Sequence, residues 1–180
     1  MRVVAVGRFD GVHRGHQHLL ARARELAREL GASTCAYTFP PQPGALLPLP
    51  AKRRLLLGLC DEVVVRPWEE VRHLSPEDFV ESELKGKLAA VGVVLGSNHR
   101  FGRDAAGDAG LLKELGRRLD LVVRVVEPLE EGGEPISSRR IRALVREGRV
   151  EEAAGLLGRP HLTVGDRVRG AGLAGRLGFP

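Results

Sequence analysis

Residues 2–16 run Arg2-Val3-Val4-Ala5-Val6-Gly7-Arg8-Phe9-Asp10-Gly11-Val12-His13-Arg14-Gly15-His16, a strand pattern that passes through a glycine-rich turn into a helix. Arg2 to Val6 is a short β-branched run that stops at a glycine, the pattern of a strand buried on both faces. From Gly15 the period changes. Leu19, Leu20, Ala23, Leu26, Ala27 and Leu30 recur at helical spacing, while Arg22, Arg24, Glu25, Arg28 and Glu29 occupy the other face. Gly31 is a plausible stop for that helix.

The same alternation continues along the chain. Ser33 to Phe39 reads as a second strand and Pro40 to Pro50 as a proline-rich loop. Lys52 to Leu59 reads as a helix, and Glu62 to Arg66 as a third strand. Ser75-Pro76-Glu77-Asp78 supplies a capping hydroxyl, a first-turn proline and early carboxylates, which predicts a helix running to about Leu88. Val91 to Leu95 is a fourth strand, Gly96 to Ala109 a glycine-rich loop, and Leu111 to Leu119 a helix. Leu121 to Val126 is a fifth strand, and Pro128 to Pro135 a loop. Ser137 caps a helix reaching Arg146, and a short helix, Glu151 to Leu157, ends at Gly158. Apolar strands alternating with helices predict a doubly wound, Rossmann-like α/β domain over residues 1–158, with about five parallel strands and helices on both faces. Residues 159–180 are too few to build a second core.

Composition narrows the function classes. Apolar residues make up 43 % and charged residues 28 %, which excludes long disorder. The longest apolar runs fall far short of the ~20 residues of a membrane span, and the start lacks the cleavage site of a signal peptide. A cytoplasmic protein with no membrane partner is expected. Cys35 and Cys60 lack a CxxC partner and read as buried structural thiols. The formal charge of +5 suits anionic partners. Nucleic acid is a weak candidate among them, because a recognition motif is lacking and aromatics are only 4 % of residues.

The densest chemistry lies between the first strand and first helix. In an open α/β sheet, ligands sit beyond the carboxyl ends of the strands, and the following helix offers free N–H groups and a positive dipole end to phosphate. Gly7, Gly11 and Gly15 permit tight turns and close backbone approach. His13 and His16, three apart at the helix entrance, can face one bound group. His18 reads as solvent-exposed. Paired histidines also bind zinc, but no third ligand stands at compatible spacing, so phosphate chemistry is favoured. Ser137-Ser138 opens a second helix with hydroxyl donors, and Arg139, Arg140 and Arg142 crowd its first turn. Cations at a helix N-terminus are electrostatically misplaced unless an anion offsets them. Asn98, His99 and Arg100 follow the fourth strand, where they form either a polar turn or substrate contacts.

These residues also carry a resemblance. Gly7 to His16 resembles the opening Gly-x-Phe-Asp-Gly-x-His-x-Gly-His motif of the HxGH nucleotidyltransferases, specifically the flavin adenylyltransferase module of bacterial riboflavin kinase/FMN adenylyltransferases. Thr38-Phe39-Pro40-Pro41-Gln42-Pro43 is similar to that family's Thr-Phe-x-Pro-His-Pro, and Leu74 to Phe79 to its Leu-Ser-Pro-Glu-Glu-Phe. Gly96 to Gly102, followed by Gly107-Asp108, resembles its Gly-x-Asn/Asp-Phe-x-Phe-Gly segment. Ile136 to Arg142 resembles its Ile-Ser-Ser-Thr-x-Ile-Arg. Five matches in order over residues 7–142 make the resemblance specific. The departures are Gln42 for a loop histidine, Arg139 for a threonine, His99 for an aromatic, and Arg8 at an apolar or small position.

The resemblance implies adenylyl transfer from ATP to FMN, giving FAD and pyrophosphate, with Mg²⁺ expected and its ligand unassigned. His16 would meet the α-phosphate and His13 its neighbours. Gly7, Phe9, Asp10, Gly11 and Gly15 would admit ATP, and Ser137, Ser138 and Arg142 would hold the leaving phosphates. Gln42, Asn98 and Arg100 are candidate substrate contacts. Rival readings are a sister transferase acting on nicotinamide mononucleotide or phosphopantetheine, a non-catalytic flavin-binding remnant, and a nucleic-acid-binding module. Gly170-Ala171-Gly172-Leu173-Ala174-Gly175 spells the GxGxxG fingerprint, but only five residues follow, too few for the helix and strand it needs. Gly170 to Pro180 resembles instead the start of the family's riboflavin kinase domain, a β-barrel, and kinase activity is not expected from this chain.

Overall fold

The computed structural model describes residues 1–165. Five parallel strands form its sheet: β1 (Arg2–Val6), β2 (Ser33–Thr38), β3 (Glu62–Val65), β4 (Ala90–Gly96) and β5 (Val122–Val126), in the order β3-β2-β1-β4-β5. The chain builds outward from β1 through α1 (Arg14–Leu30) to β2 and through α2 (Leu49–Leu57) to β3. It then crosses back to lay β4 on the other side of β1, so the strand order reverses between β1 and β4. That reversal opens a crevice at the carboxyl ends of these two strands.

Strand alternation divides the core into two layers. Val4 and Val6 point into a cluster with Phe79, Val80, Leu84, Leu112 and Leu115. Val3 and Ala5 point the other way, onto Leu20, Ala23 and Leu26 of α1 and Leu56 of α2. A third cluster joins α6 (Ser138–Arg146) and α7 (Val150–Leu157) through Ile141, Leu144, Leu156 and Leu157, with Leu46 and Ile136 added from loops. Both cysteines are buried free thiols; burial is the main cause that pushes Cys35 up to about 12 and raises Cys60 as well. No helix among the described residues is long and apolar enough to cross a membrane.

The doubly wound expectation holds, with local corrections. Helix α2 starts at Leu49 rather than Lys52, because Pro50 sits in its first turn, where no N–H partner is lost. A one-turn helix α3, Trp68–Val71, was too short for periodicity to reveal. The helix entered at Ser75 is α-helical only over α4 (Pro76–Asp78), and Phe79–Lys87 is wound as a π-helix, with the Leu88 N–H reaching the Glu83 carbonyl. The loop after Gly96 contains a short 3-10 turn, Arg103–Ala105, and α5 begins at Ala109 (Ala109–Arg118), capped by Asp108. The loop after Pro128 contains a two-stranded hairpin, β6 (Glu130–Glu131) and β7 (Glu134–Pro135), turned by Gly132 and Gly133 at positive φ. The Gly170–Pro180 stretch lies outside the described residues.

A buried carboxylate braces the β2 side of the sheet. Glu83, 2 % exposed, accepts from the Tyr37 hydroxyl at 3.1 Å and from Arg66 Nε at 3.1 Å, and pairs with Lys87. Burial works to raise its pKa, but the Lys87, Arg66 and Tyr37 partners overcome that and hold the carboxyl below its ordinary value. Removing it strands a phenol and a guanidinium. Glu83→Ala is expected to lower the unfolding free energy by about 2–3 kcal/mol, less than for a fully buried pair because Arg66 keeps access to water. Urea denaturation checks this, and an unchanged midpoint would contradict it.

Candidate active site

The loop from Gly7 to His13 covers the crevice at the end of β1. Phe9, Gly11 and Val12 all take left-handed backbone, at φ 50°, 78° and 46°. Two non-glycine residues there mark stored strain, which persists only where the surroundings over-determine it. Phe9 is 1 % exposed and lies against Gly7, where an added Cβ would stand 3.2 Å from the ring. At Gly11 a Cβ would stand 2.6 Å from a Leu46 methyl carbon, so both backbone angle and space require glycine.

The surroundings hold this loop by its carbonyls. The Arg8 carbonyl accepts from Lys52 Nζ at 3.1 Å and from the Thr38 hydroxyl at 3.0 Å. The Asp10 carbonyl accepts from Ser138 at 2.9 Å, the Gly11 carbonyl from Arg159 at 2.7 Å and the Val12 carbonyl from Gln17 at 3.0 Å. The Phe9 carbonyl takes the Val12 N–H at 3.2 Å. Asp10 contributes its side chain too, accepting from the Leu46 N–H at 2.8 Å and pairing with Arg142.

The pinned loop presents two stacked imidazoles at the start of α1. Their centroids are 3.6 Å apart with planes 20° from parallel, and Phe9 meets His16 edge-on at 5.2 Å. His13 Nδ1 accepts the His16 backbone N–H at 3.4 Å, capping α1 and placing the His13 ring proton on Nε2. A Cβ on Gly15 would lie 3.2 Å from the His13 ring, so glycine is what lets that ring fold over the helix start. Burial first, with the Arg159 guanidinium adding, pushes His13 down to about 4. Burial, then His13 and Lys52, hold His16 well below the ordinary histidine value. Both rings are neutral N–H donors near pH 7. His16 Nδ1 is buried without a partner.

Two clefts meet beside them. The larger, about 450 Å³, is walled by the histidine pair, Gly7, Asn98 and the Ser137-Ser138 entrance of α6. The smaller, about 270 Å³, lies against Phe39, Gln42, Lys52, Trp68 and Arg142. Arg8 and Ser138 line both.

The structure thus brings His13, His16, Gly7, Phe9, Gly15, Ser137, Ser138, Asn98 and Arg100 to one cleft. Gln42 and Arg142 fall in the other, and Asp10 joins them there as a brace for the loop. The crowded arginines of α6 are corrected. Arg140 turns away to the Glu131 and Glu134 carbonyls of the hairpin, Arg142 is offset by Asp10, and Arg139 is exposed. Their presence is therefore largely explained without an external anion. Asn98 and Arg100 are exposed on the cleft wall, and Arg100 leans 3.5 Å from Asp108.

Sequence reasoning missed Lys52, Gln17, Arg159 and Trp68. Lys52 could have been found: with Leu55, Leu56 and Leu59 it follows the buried helical period, where an ammonium needs oxygen partners. It is 2 % exposed, bonds the Arg8 and Phe39 carbonyls and Thr38, and is pushed down by burial to about 8. Lys52→Met, which keeps the stem and removes the donors, is expected to destabilise the fold by about 1–3 kcal/mol. It should also loosen the histidine loop, which loses one of its two ties to the end of β2. Loop amides that exchange hydrogen as slowly in a folded Lys52→Met variant as in wild type would contradict the bracing role.

Comparison with known proteins agrees with this geometry. A family described as FAD synthetase matches residues 1–140. The bifunctional riboflavin kinase/FMN adenylyltransferase of Pseudomonas fluorescens is 35 % identical over 189 residues, covering 99 % of this chain and 61 % of the relative. An FAD synthetase of Listeria monocytogenes is 34 % identical over 176 residues, covering 91 % of this chain and 71 % of the relative. A solved structure from Streptococcus pneumoniae, described as a macrolide-efflux protein, has a TM-score of 0.86 and 30 % identity, covering 99 % of this chain and 62 % of that one. The chain spans about three fifths of the length of the bifunctional relatives of Pseudomonas fluorescens and Listeria monocytogenes. With a match over residues 1–140 that contains the whole histidine loop and both strands of the crevice, the chain belongs to the FAD synthetase family.

Proposed function

We propose that this chain transfers the adenylyl group of ATP to FMN, forming FAD and pyrophosphate. The observation that carries this reading is the neutral, stacked His13–His16 pair at the start of α1, facing the Ser137-Ser138 entrance of α6 across one cleft. Two helix N-termini converge there on a space suited to a polyphosphate.

An FMN phosphate oxygen attacks the α-phosphorus in line. The bond from that phosphorus to the β-bridging oxygen breaks, and its electron pair leaves on pyrophosphate. The nucleophile is already an anion, so the chain needs no base. Its contribution is positioning and stabilisation of developing charge. His16 donates to the α-phosphate and the His13 Nε2–H to its neighbour. The Ser137 hydroxyl and the free backbone N–H groups at Ser138 and the start of α6 hold the departing phosphates, while the Ser138 hydroxyl stays on the Asp10 carbonyl, and the Gly7 turn lets the nucleotide approach the backbone. Arg142, held by Asp10, supports that wall from the smaller cleft. The acceptor enters from the smaller cleft, where Phe39 and Trp68 offer aromatic faces.

Among the described residues no three histidine, cysteine, aspartate or glutamate side chains gather into a metal cage. The carboxylates nearest the clefts are engaged, Asp10 by Arg142 and Glu127 by the Ser97 hydroxyl at 2.7 Å. This donor set does not fit a resident ion. Mg²⁺ enters here as part of the substrate, chelated by ATP's own phosphates.

Incubation of the 180-residue chain with FMN, ATP and Mg²⁺, followed by chromatography, is expected to yield FAD. His16→Ala should lower turnover about a hundredfold or more with the fold intact, the usual loss for one transition-state donor. Product from nicotinamide mononucleotide or phosphopantetheine instead of FMN, or undiminished turnover in His16→Ala, would overturn the assignment.

A further inference from the structure

Two positions where the chain departs from its family pattern, 34 residues apart, touch each other. The Arg8 guanidinium donates to Gln42 Oε1 and lies over the Trp68 ring with Cζ 5.5 Å from its centroid. Arg8 stands where the pattern is apolar or small, and Gln42 where it is histidine. A guanidinium beside an imidazole able to take a proton would meet like charge, whereas a neutral amide accepts from it at any pH.

Arg8 is also unlike the other cations of the two clefts. Lys52 is consumed by carbonyls, Arg142 by Asp10, and Arg100 leans on Asp108. Of the Lys and Arg side chains lining the two clefts, Arg8, Arg146 and the carbonyl-bound Lys52 have no carboxylate partner among the described residues, and of these only Arg8 lines both clefts. It is exposed, and one hydrogen bond to a neutral amide leaves most of its five donors unspent. A fork of that kind matches a phosphate bidentately.

We propose that Arg8 reads the phosphate of the acceptor: it leaves Gln42 for the phosphate of the incoming flavin mononucleotide and so selects the phosphorylated flavin over riboflavin. This rests on the function proposed above and adds the residue that sets acceptor specificity. Trp68 holds the guanidinium at the junction of the clefts, and Gln42 parks it when no acceptor is bound. The main-chain oxygen of Arg8 holds the loop independently of its side chain, so replacing that side chain leaves the Lys52 and Thr38 bonds in place.

The test is flavin fluorescence quenching by the full 180-residue chain, titrated separately with FMN and riboflavin, beside calorimetric titration with ATP. Wild type is expected to favour FMN by roughly tenfold to a hundredfold, the range of a charge-assisted hydrogen-bonded contact. Arg8→Ala should lose most of that preference while its riboflavin and ATP affinities stay within about twofold. Arg8→Lys should keep part of it, a point charge lacking the fork. Gln42→Ala, which removes the parking partner, should hold or raise FMN affinity; a merely structural Arg8–Gln42 bond would lower it. Equal wild-type affinity for both flavins, an unchanged preference in Arg8→Ala, or a loss falling on ATP instead would overturn the role of Arg8 and leave adenylyl transfer standing. Wild type that binds neither flavin overturns both.

Discussion

The structure depends on the capture of four main-chain carbonyls. The loop leaving β1 bends through left-handed backbone, and in that shape the carbonyls of Arg8, Asp10, Gly11 and Val12 have no helix or strand to bond. Lys52, Thr38, Ser138, Arg159 and Gln17 supply the missing donors. Each comes from a different place in the chain: the end of β2, the middle of α2, the start of α6, the segment after α7, and α1 itself. Unmade hydrogen bonds at buried carbonyls are expensive, so the loop and the elements around it hold one another.

That arrangement carries the chemistry. Because the loop is fixed from several sides, the histidines stack and desolvate before any substrate arrives. Burial keeps them neutral, so under the proposed function phosphate would meet N–H donors already in place. Preorganised donors in a dry cleft stabilise a transition state without reorganising during the reaction. The strain at Phe9 and Val12 sits four residues and one residue before His13, beside a functional loop, where such strain is commonly stored. The same packing sets the limits of substitution at Gly11 and Gly15, since a methyl at either would move Leu46 or the His13 ring.

Most of the fold was legible because parallel strands covered on both faces read as short apolar runs, and the helices between them carry a clear period. What escaped was either too short to have a period, as with Trp68–Val71 and the Glu130–Pro135 hairpin, or a variation on one, as with the π-wound Phe79–Lys87. The histidine loop was legible from glycine spacing and its position after the first strand. Its bracing was not. Arg159 and Ser138 reach the loop across 148 and 128 residues, and no local pattern encodes a contact of that span. The arginines of α6 show the opposite error. Their charge implied an external anion, while the fold had supplied a carboxylate for Arg142 and carbonyls for Arg140.

The loop holds a neutral histidine pair, which under the proposed function bound phosphate would polarise. Titrating the ring C–H resonances of His13 and His16 by proton NMR, with and without ATP, tests it most directly. In the free protein His13 should titrate near 4 and His16 well below the ordinary histidine value, because both rings are buried. Bound polyphosphate places negative charge beside the rings, so both should titrate at higher pH with ATP present, and binding near pH 5 should take up protons. Ordinary titration near 6.5 in the free protein, unmoved by ATP, would contradict the account.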